Sequence, residues 1–259
     1  MRQSIEQPTM TTDHSRRDAD YARAETALLF VDMQRMYCIP GRDPGHPERD
    51  ASHYYHRRLR DTVIPNQVRL LKAVRRAKIQ VLHTVIEALT ADGRDISLDH
   101  RLSNIFMPKG HPEAQPIAEL ALLENEILLP KSSSGVFNST NIDYVLRNLG
   151  IENVVVAGIL TDQCVDMAVR DGADRGYYMV CAQDGCASYT AERHETALRA
   201  FGGYCRVQTV NEILASLIAG RSTWCSEYEV CSVTELRSLA EFPSRRREGD
   251  CDERLTGDR

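Results

Sequence analysis

The stretch ENVVVAGILTDQCVD, from Glu152 to Asp166, decides how this chain is read: an apolar run of strand length passes through one short polar turn into a cysteine at the head of a helical pattern. The run lacks the polar and apolar alternation of a half-exposed strand, which is the mark of a strand buried on both faces of a parallel sheet. The following CVDMAVRDGADRG can carry a helix, with Gly176 standing where a C-cap wants glycine. The same unit recurs on both sides. TALLFVD (Thr26 to Asp32), KIQVLHTVI, EILLP and YYMVCAQD are further apolar runs, and between them IPNQVRLLKAVRRA, STNIDYVLRNLG and ERHETALRAFGG have helical character. In the first of these, Val68, Leu71 and Val74 recur at three-residue spacing, and Gly150 closes the second. Strand alternating with helix from Thr26 to about Ala219 predicts an α/β fold, a doubly wound parallel sheet with helices on both faces. Such sheets bind ligands outside the carboxyl ends of their strands. The expected boundaries are a flexible N-terminal arm over 1–25, the domain over 26–220, and an extension over 221–259 that ends in a charge-dense tail. The segment from Asn104 to Ala121, with Pro108, Gly110, Pro112 and Pro116, reads as an irregular excursion that roofs the site.

With 42% hydrophobic residues in 259, the chain can bury a full core as one domain. Its 32 basic and 37 acidic residues are mixed along the chain, so no basic face offers itself to nucleic acid or to an anionic membrane, and a small-molecule substrate is the expected partner. No apolar run approaches the roughly 20 residues needed to span a bilayer. The N-terminus lacks the apolar core of a signal peptide, so a soluble cytoplasmic protein is expected. Cys38, Cys164, Cys181, Cys186, Cys205, Cys225, Cys231 and Cys251 form no regular framework, and reduced thiols are the expectation. There is no CxxC pair and no HExxH, GxGxxG or GxxxxGK[ST] motif, so neither a metal nor a nucleotide cofactor is expected.

Asp32, Lys131 and Cys164 each lie at or just past the end of an expected strand, in FVD, LLPK and VVVAGILTDQC, so the fold brings all three to one edge of the sheet. Singly, each has a plain structural reading: a packed core thiol, a capping acid, a solvated lysine. Together they supply a nucleophile, a proton acceptor and a positive charge. A helix N-terminus and a nearby ammonium favour the thiolate, so a lowered thiol pKa and rapid alkylation of Cys164 are expected.

FVDMQ, PKSSSGVFNST and GILTDQCV, taken together, resemble the isochorismatase-like cysteine hydrolases over about Thr26 to Leu217. The resemblance implies a six-stranded parallel sheet and a catalytic triad of Asp32, Lys131 and Cys164. It also implies a non-proline cis peptide in the turn before the cysteine, by position Ile159 to Leu160. The backbone N–H groups of Leu160 and Cys164 are the expected oxyanion donors, and Gln34, Tyr37 and Phe137 the expected substrate contacts. A homo-oligomer, dimer or tetramer, is also expected. Nicotinamidase members carry a metal-binding cluster after the second strand, whereas HTVIEALTADGRD offers His83, Glu87 and Asp92 without that motif. The stretch DRGYYMVCAQDGCASYTAERHETAL, with Ser188, Tyr189 and His194, is similar to the branch acting on ureido and carbamoyl compounds such as biuret or triuret. The expected activity is therefore cysteine-dependent cleavage of a C–N bond with release of ammonia. The alternatives are an isochorismatase cleaving a vinyl ether, for whose dianionic substrate Arg35 is the evident cation, and an idle member used as a binding protein.

Overall fold

Six short runs assemble one parallel sheet: β1 (Thr26–Val31), β2 (Gln80–Ile86), β3 (Ile127–Lys131), β4 (Asn153–Ile159), β5 (Tyr178–Ala187) and β6 (Cys205–Gln208). The order across the sheet is β3-β2-β1-β4-β5-β6, with every neighbouring pair parallel. The computed structural model describes residues 19–219 apart from 44, 45 and 47. Chain direction across the sheet reverses between β1 and β4, and a crevice opens at such a switch point beyond the carboxyl ends of the strands.

The helices are α1 (Arg35–Cys38), α2 (Tyr54–Arg58), α3 (Ile64–Arg76), α4 (Leu98–Leu102), α5 (Val136–Ser139), α6 (Ile142–Asn148), α7 (Cys164–Asp174), α8 (Ala191–Ala200) and α9 (Val210–Ala219). A π-helical turn, Leu59–Val63, joins α2 to α3. All six residues of β1 are buried, because alternate side chains meet different helical layers. Leu28 and Phe30 pack in one core with Leu70, Leu71 and Val74 of α3 and Ile213 and Leu214 of α9. Ala27, Leu29 and Val31 pack in the other with Ile142 and Leu146 of α6 and Val165 and Val169 of α7. This double burial is why the strand runs carry no alternation. Gly150 and Gly176, at φ 67° and 91°, close α6 and α7 in the left-handed conformation expected after a helix.

The six strands agree with the resemblance, and one boundary needs correction. The sixth strand, CRVQ, is only four residues long and mostly half-buried, so it has no apolar run to announce it. The arm does not extend to residue 25: Tyr21 is wholly buried, its hydroxyl donates to the Gln208 side chain, and Glu152 N–H donates to Glu25 O at 2.8 Å. Residues 1–18 and the charged tail lie outside the described residues, as do Cys225, Cys231 and Cys251. The five described cysteines carry free thiols. No helix among the described residues is long and apolar enough to cross a membrane.

Candidate active site

Asp32 follows β1 directly with φ 54°, a left-handed conformation that aspartate tolerates better than most residues. Its N–H donates to Thr84 O at 3.1 Å, and its Oδ1 accepts from Thr84 Oγ1 at 3.0 Å, so the neighbouring strand β2 orients the carboxylate. Lys131 ends β3 and is fully buried. Its ammonium forms an ion pair with Asp32 Oδ2 at 2.9 Å and donates to Ser133 O at 3.0 Å and to Cys164 Sγ at 3.4 Å. Cys164 is the first residue of α7 and is 6% exposed. The structure thus brings together the three residues that the sequence placed at one sheet edge.

The electrostatics of this cluster follow from its burial. Desolvation opposes the charge on Lys131, yet the Asp32 carboxylate and Cys164 outweigh it and raise the lysine pKa, so the group stays an ammonium. For Cys164 the balance is opposite: burial pushes the thiol up to about 12, Lys131 pulls it down, and the hydrogen-bonded Asp32 carboxylate pushes it up again. The expected lowered thiol pKa is therefore overturned. Loss of solvation exceeds what one shared ammonium contributes, and the sulfur rests as a thiol beside a carboxylate able to take its proton.

The turn between β4 and α7 is locally dense in hydrogen bonds. Gly158 sits at φ 144° where the pairing of β4 with β5 shifts register, and the Ile159–Leu160 peptide bond is cis, as the resemblance implied. Thr161 N–H donates to Ala187 O at 2.9 Å, and Gln163 N–H and Val165 N–H both reach Leu160 O. Thr161 Oγ1 also lies 2.8 Å from His194 Nδ1, whose Nε2 is 2.8 Å from Arg58 Nη2. A guanidinium only donates, so Nε2 must accept and Nδ1–H must donate to Thr161. Burial, with Arg58 adding to it, pushes His194 down to about 4, which keeps the ring neutral for this arrangement. Among the described residues, no turn or capping hydrogen bond uses the N–H of Leu160 or of Cys164. The first N–H groups of a helix have no intrahelical acceptor.

A cavity of about 390 Å³ opens over the sulfur, with Asp32, Leu160 and Cys164 among its lining residues. Tyr37, Asp43, Tyr55, Ser103 and Tyr189 also line it, and Asn104 and Ile105 contribute from the start of the expected roof. The Tyr37 and Tyr55 hydroxyls are buried with no hydrogen-bond partner among the described residues. Leaving such a group unpaired costs about 1–3 kcal/mol. Tyr37 thus lines the cavity, but two other expected contacts do not. Gln34 gives its whole amide to strand β2: Nε2 donates to Ile86 O at 3.1 Å and Oε1 accepts from Ile86 N–H at 2.6 Å. Phe137 packs in the core against Tyr177, ring centroids 5.9 Å apart, under the Arg175 guanidinium. Tyr55 and Asp43 escaped the sequence reading because neither stands in a motif.

His83, within β2, and the acids that follow the strand do not converge. His83 is in the core 4.0 Å from Glu126, the Glu87 carboxylate accepts from Gly110 N–H, and Asp92 faces Arg94 at the surface.

The family model described as Isochorismatase domain matches residues 26–212. The uncharacterized isochorismatase family protein YecD of Escherichia coli O157:H7 is 32% identical over 101 residues, which is 39% of this chain and 54% of that relative, so the match spans about half of YecD. The ureidoacrylate amidohydrolase RutB of Rhizobium rhizogenes (strain K84 / ATCC BAA-868) is 30% identical over 177 residues, 62% of this chain and 70% of RutB. Among solved structures, a cysteine hydrolase from Pseudomonas syringae pv. phaseolicola 1448A superposes with a TM-score of 0.67 at 21% identity, covering 78% of this chain and 96% of that one. At that identity the likeness shows the fold.

Proposed function

Because this chain belongs to the isochorismatase family of hydrolases, we propose that it is a cysteine amidohydrolase cleaving a C–N bond of a small ureido or carbamoyl compound through a covalent thioester-type intermediate. The observation that carries the reading is the single ammonium of Lys131 holding both the Asp32 carboxylate, at 2.9 Å, and the Cys164 sulfur, at 3.4 Å, on the lining of a small-molecule cavity. Asp32 takes the thiol proton as Cys164 Sγ bonds to the substrate carbonyl carbon. The oxygen of that carbonyl gains the charge and is met by the N–H groups of Leu160 and Cys164. Asp32 then passes the proton to the leaving nitrogen, the C–N bond breaks, and ammonia departs. Water attacks the remaining acyl or carbamoyl thioester, gives its proton to Asp32, and the sulfur recovers that proton as the acid is released. Lys131 offsets the charge on carboxylate and sulfur throughout.

A urea-type carbonyl is deactivated by its nitrogen lone pairs, so a pair of aimed donors is what such a substrate requires. The relative RutB is an ureidoacrylate amidohydrolase by name, which agrees with this class. A dianion such as isochorismate would instead meet the carboxylates of Asp32 and Asp43 on the cavity wall, and Arg35 is not among the lining residues. The test is ammonia release from a panel of ureas, biuret, triuret, simple amides and isochorismate, with mass spectrometry of acid-quenched enzyme. The expected result is turnover of a ureido compound, an adduct on Cys164, and a loss of at least about three orders of magnitude in kcat for Cys164→Ala. Turnover of isochorismate alone, with no adduct, would overturn the proposal.

A further inference from the structure

Between Leu160 and Cys164, Thr161 is wholly buried and tied to the fold at two points. Its N–H donates to Ala187 O at the end of β5, and its Oγ1 lies 2.8 Å from His194 Nδ1 on α8. His194 is fixed in turn by Arg58 of α2, whose Nη2 lies 2.8 Å from Nε2 and donates to Gln183 O at 3.1 Å, while its Nε donates to Cys186 O at 3.1 Å. Gln183 lies in the stretch, between Cys181 and Cys186, over which the pairing of β5 with β4 shifts register. Neither Thr161, His194 nor Arg58 is among the residues lining the cavity. Burying polar groups is costly unless they are paired, and here the pairing converges on one turn, the one that presents the sulfur.

We infer that His194 is a positioning residue: accepting from Arg58 and donating Nδ1–H to Thr161, it fixes the peptide that follows Leu160 and so aims the Leu160 N–H at the oxygen of the attacked carbonyl. The guanidinium has no acceptor, so the ring's one proton belongs on Nδ1. Burial first, then Arg58, keeps the ring neutral against the opposite pull of Asp162 and Gln183 O. The inference rests on the oxyanion role given to the Leu160 N–H in the amidohydrolase reading. An oxyanion exists in the transition state and not in the bound substrate, so a misaimed donor lowers kcat and leaves KM nearly unchanged. A looser substrate site would raise KM instead.

Two substitutions separate the halves of the histidine. Asparagine carries its amide nitrogen as many bonds from Cα as Nδ1 and keeps the donor to Thr161. Glutamine carries its amide at the reach of Nε2, keeping an acceptor for Arg58 while withdrawing the donor from Thr161. With kcat normalised to the folded fraction from circular dichroism, His194→Gln should lose at least about tenfold in kcat with KM within about twofold, and His194→Asn should stay within about threefold of wild type. Should the histidine variants fail to fold, Thr161→Val against Thr161→Ser, which keeps the hydroxyl, carries the same comparison. Equal losses in the two members of a pair, or a loss carried by KM, would overturn the positioning role. The same variants can be read without C–N cleavage, through reversible addition of carbon-13-labelled acetaldehyde followed by NMR: Cys164 Sγ bonds to the aldehyde carbon, the thiol proton passes to its oxygen, and a thiohemiacetal forms. Its dissociation constant should rise at least about tenfold in His194→Gln and less than about threefold in His194→Asn. If that order appears while the wild-type enzyme releases no ammonia from any ureido compound, the positioning role stands and the amidohydrolase reading falls.

Discussion

With its thiol pushed up to about 12, Cys164 keeps its proton at neutral pH, and this changes what a chemical probe should see. Alkylation requires the thiolate, so iodoacetamide should label Cys164 slowly at pH 7, with a rate that climbs about tenfold per pH unit through pH 9. Fast labelling independent of pH would mean that the resting sulfur is already ionised. The carboxylate that takes this proton is Asp32, so Asp32→Asn should lose at least about two orders of magnitude in kcat. The Asp32→Asn, Cys164→Ala double variant should be no worse than Cys164→Ala, because residues acting as one unit do not lose activity additively. Multiplying losses would sink the cooperative reading. The positions of these residues were legible in the sequence because Asp32 and Lys131 stand at strand ends and Cys164 follows one by a single short turn. The sign of the thiol shift was not, since a helix N-terminus and a lysine are visible in a string of letters and loss of water is not. Gln34 and Phe137 were misplaced for a related reason: a motif marks that a residue matters, and not whether its amide or ring faces the cavity or the strand behind it.

The turn after β4 depends on Gly158, whose φ of 144° suits glycine and whose missing side chain lets β4 lie against β1. A Cβ there would stand 2.7 Å from Val31 N and closer still to Val31 O, both backbone atoms of the central strand. Gly158→Ala should therefore cost at least about 2 kcal/mol in urea unfolding and lower activity as well, since the same displacement moves Leu160 and Cys164. A loss below about 0.5 kcal/mol, the ordinary range for surface changes, would show that the strands yield. Five strands could be read from their apolar runs: β1, β2, β4 and most of β5 are buried on both faces, and the mostly half-buried β3 still carries the apolar run ILLP. The sixth could not, because β6 is only four residues, CRVQ, with Arg206 and Gln208 breaking any apolar run. In α3 the three-residue spacing found the helix but not its whole face. Leu70 and Gln67 are buried beside Leu71 and Val74, while Val68 only packs against the core from its margin.

Across the whole molecule, two buried histidines set an acid limit on stability. Burial holds both His83 and His194 down to about 4, against about 6.5 in an unfolded chain. Between those values the unfolded chain takes up protons that the folded chain refuses, so stability falls as pH drops from about 6.5 to 4. The slope reaches up to about 1.4 kcal/mol per pH unit for each histidine. Urea unfolding at pH 7, 6 and 5 should show this decline, and His83→Gln should flatten it; an unchanged slope in that variant would remove His83 as a cause. The order of the sheet has a further consequence, for the way the protein ages on heating. Lys131 belongs to β3, which has β2 as its only neighbour in the sheet. Edge strands open before central ones, and each such opening carries the ammonium away from Asp32 and Cys164 while the remaining strands stay paired. Thermal inactivation should thus begin several degrees below the loss of the bulk circular dichroism signal, with early deuterium uptake at Leu129 and Lys131 marking the first bonds to go.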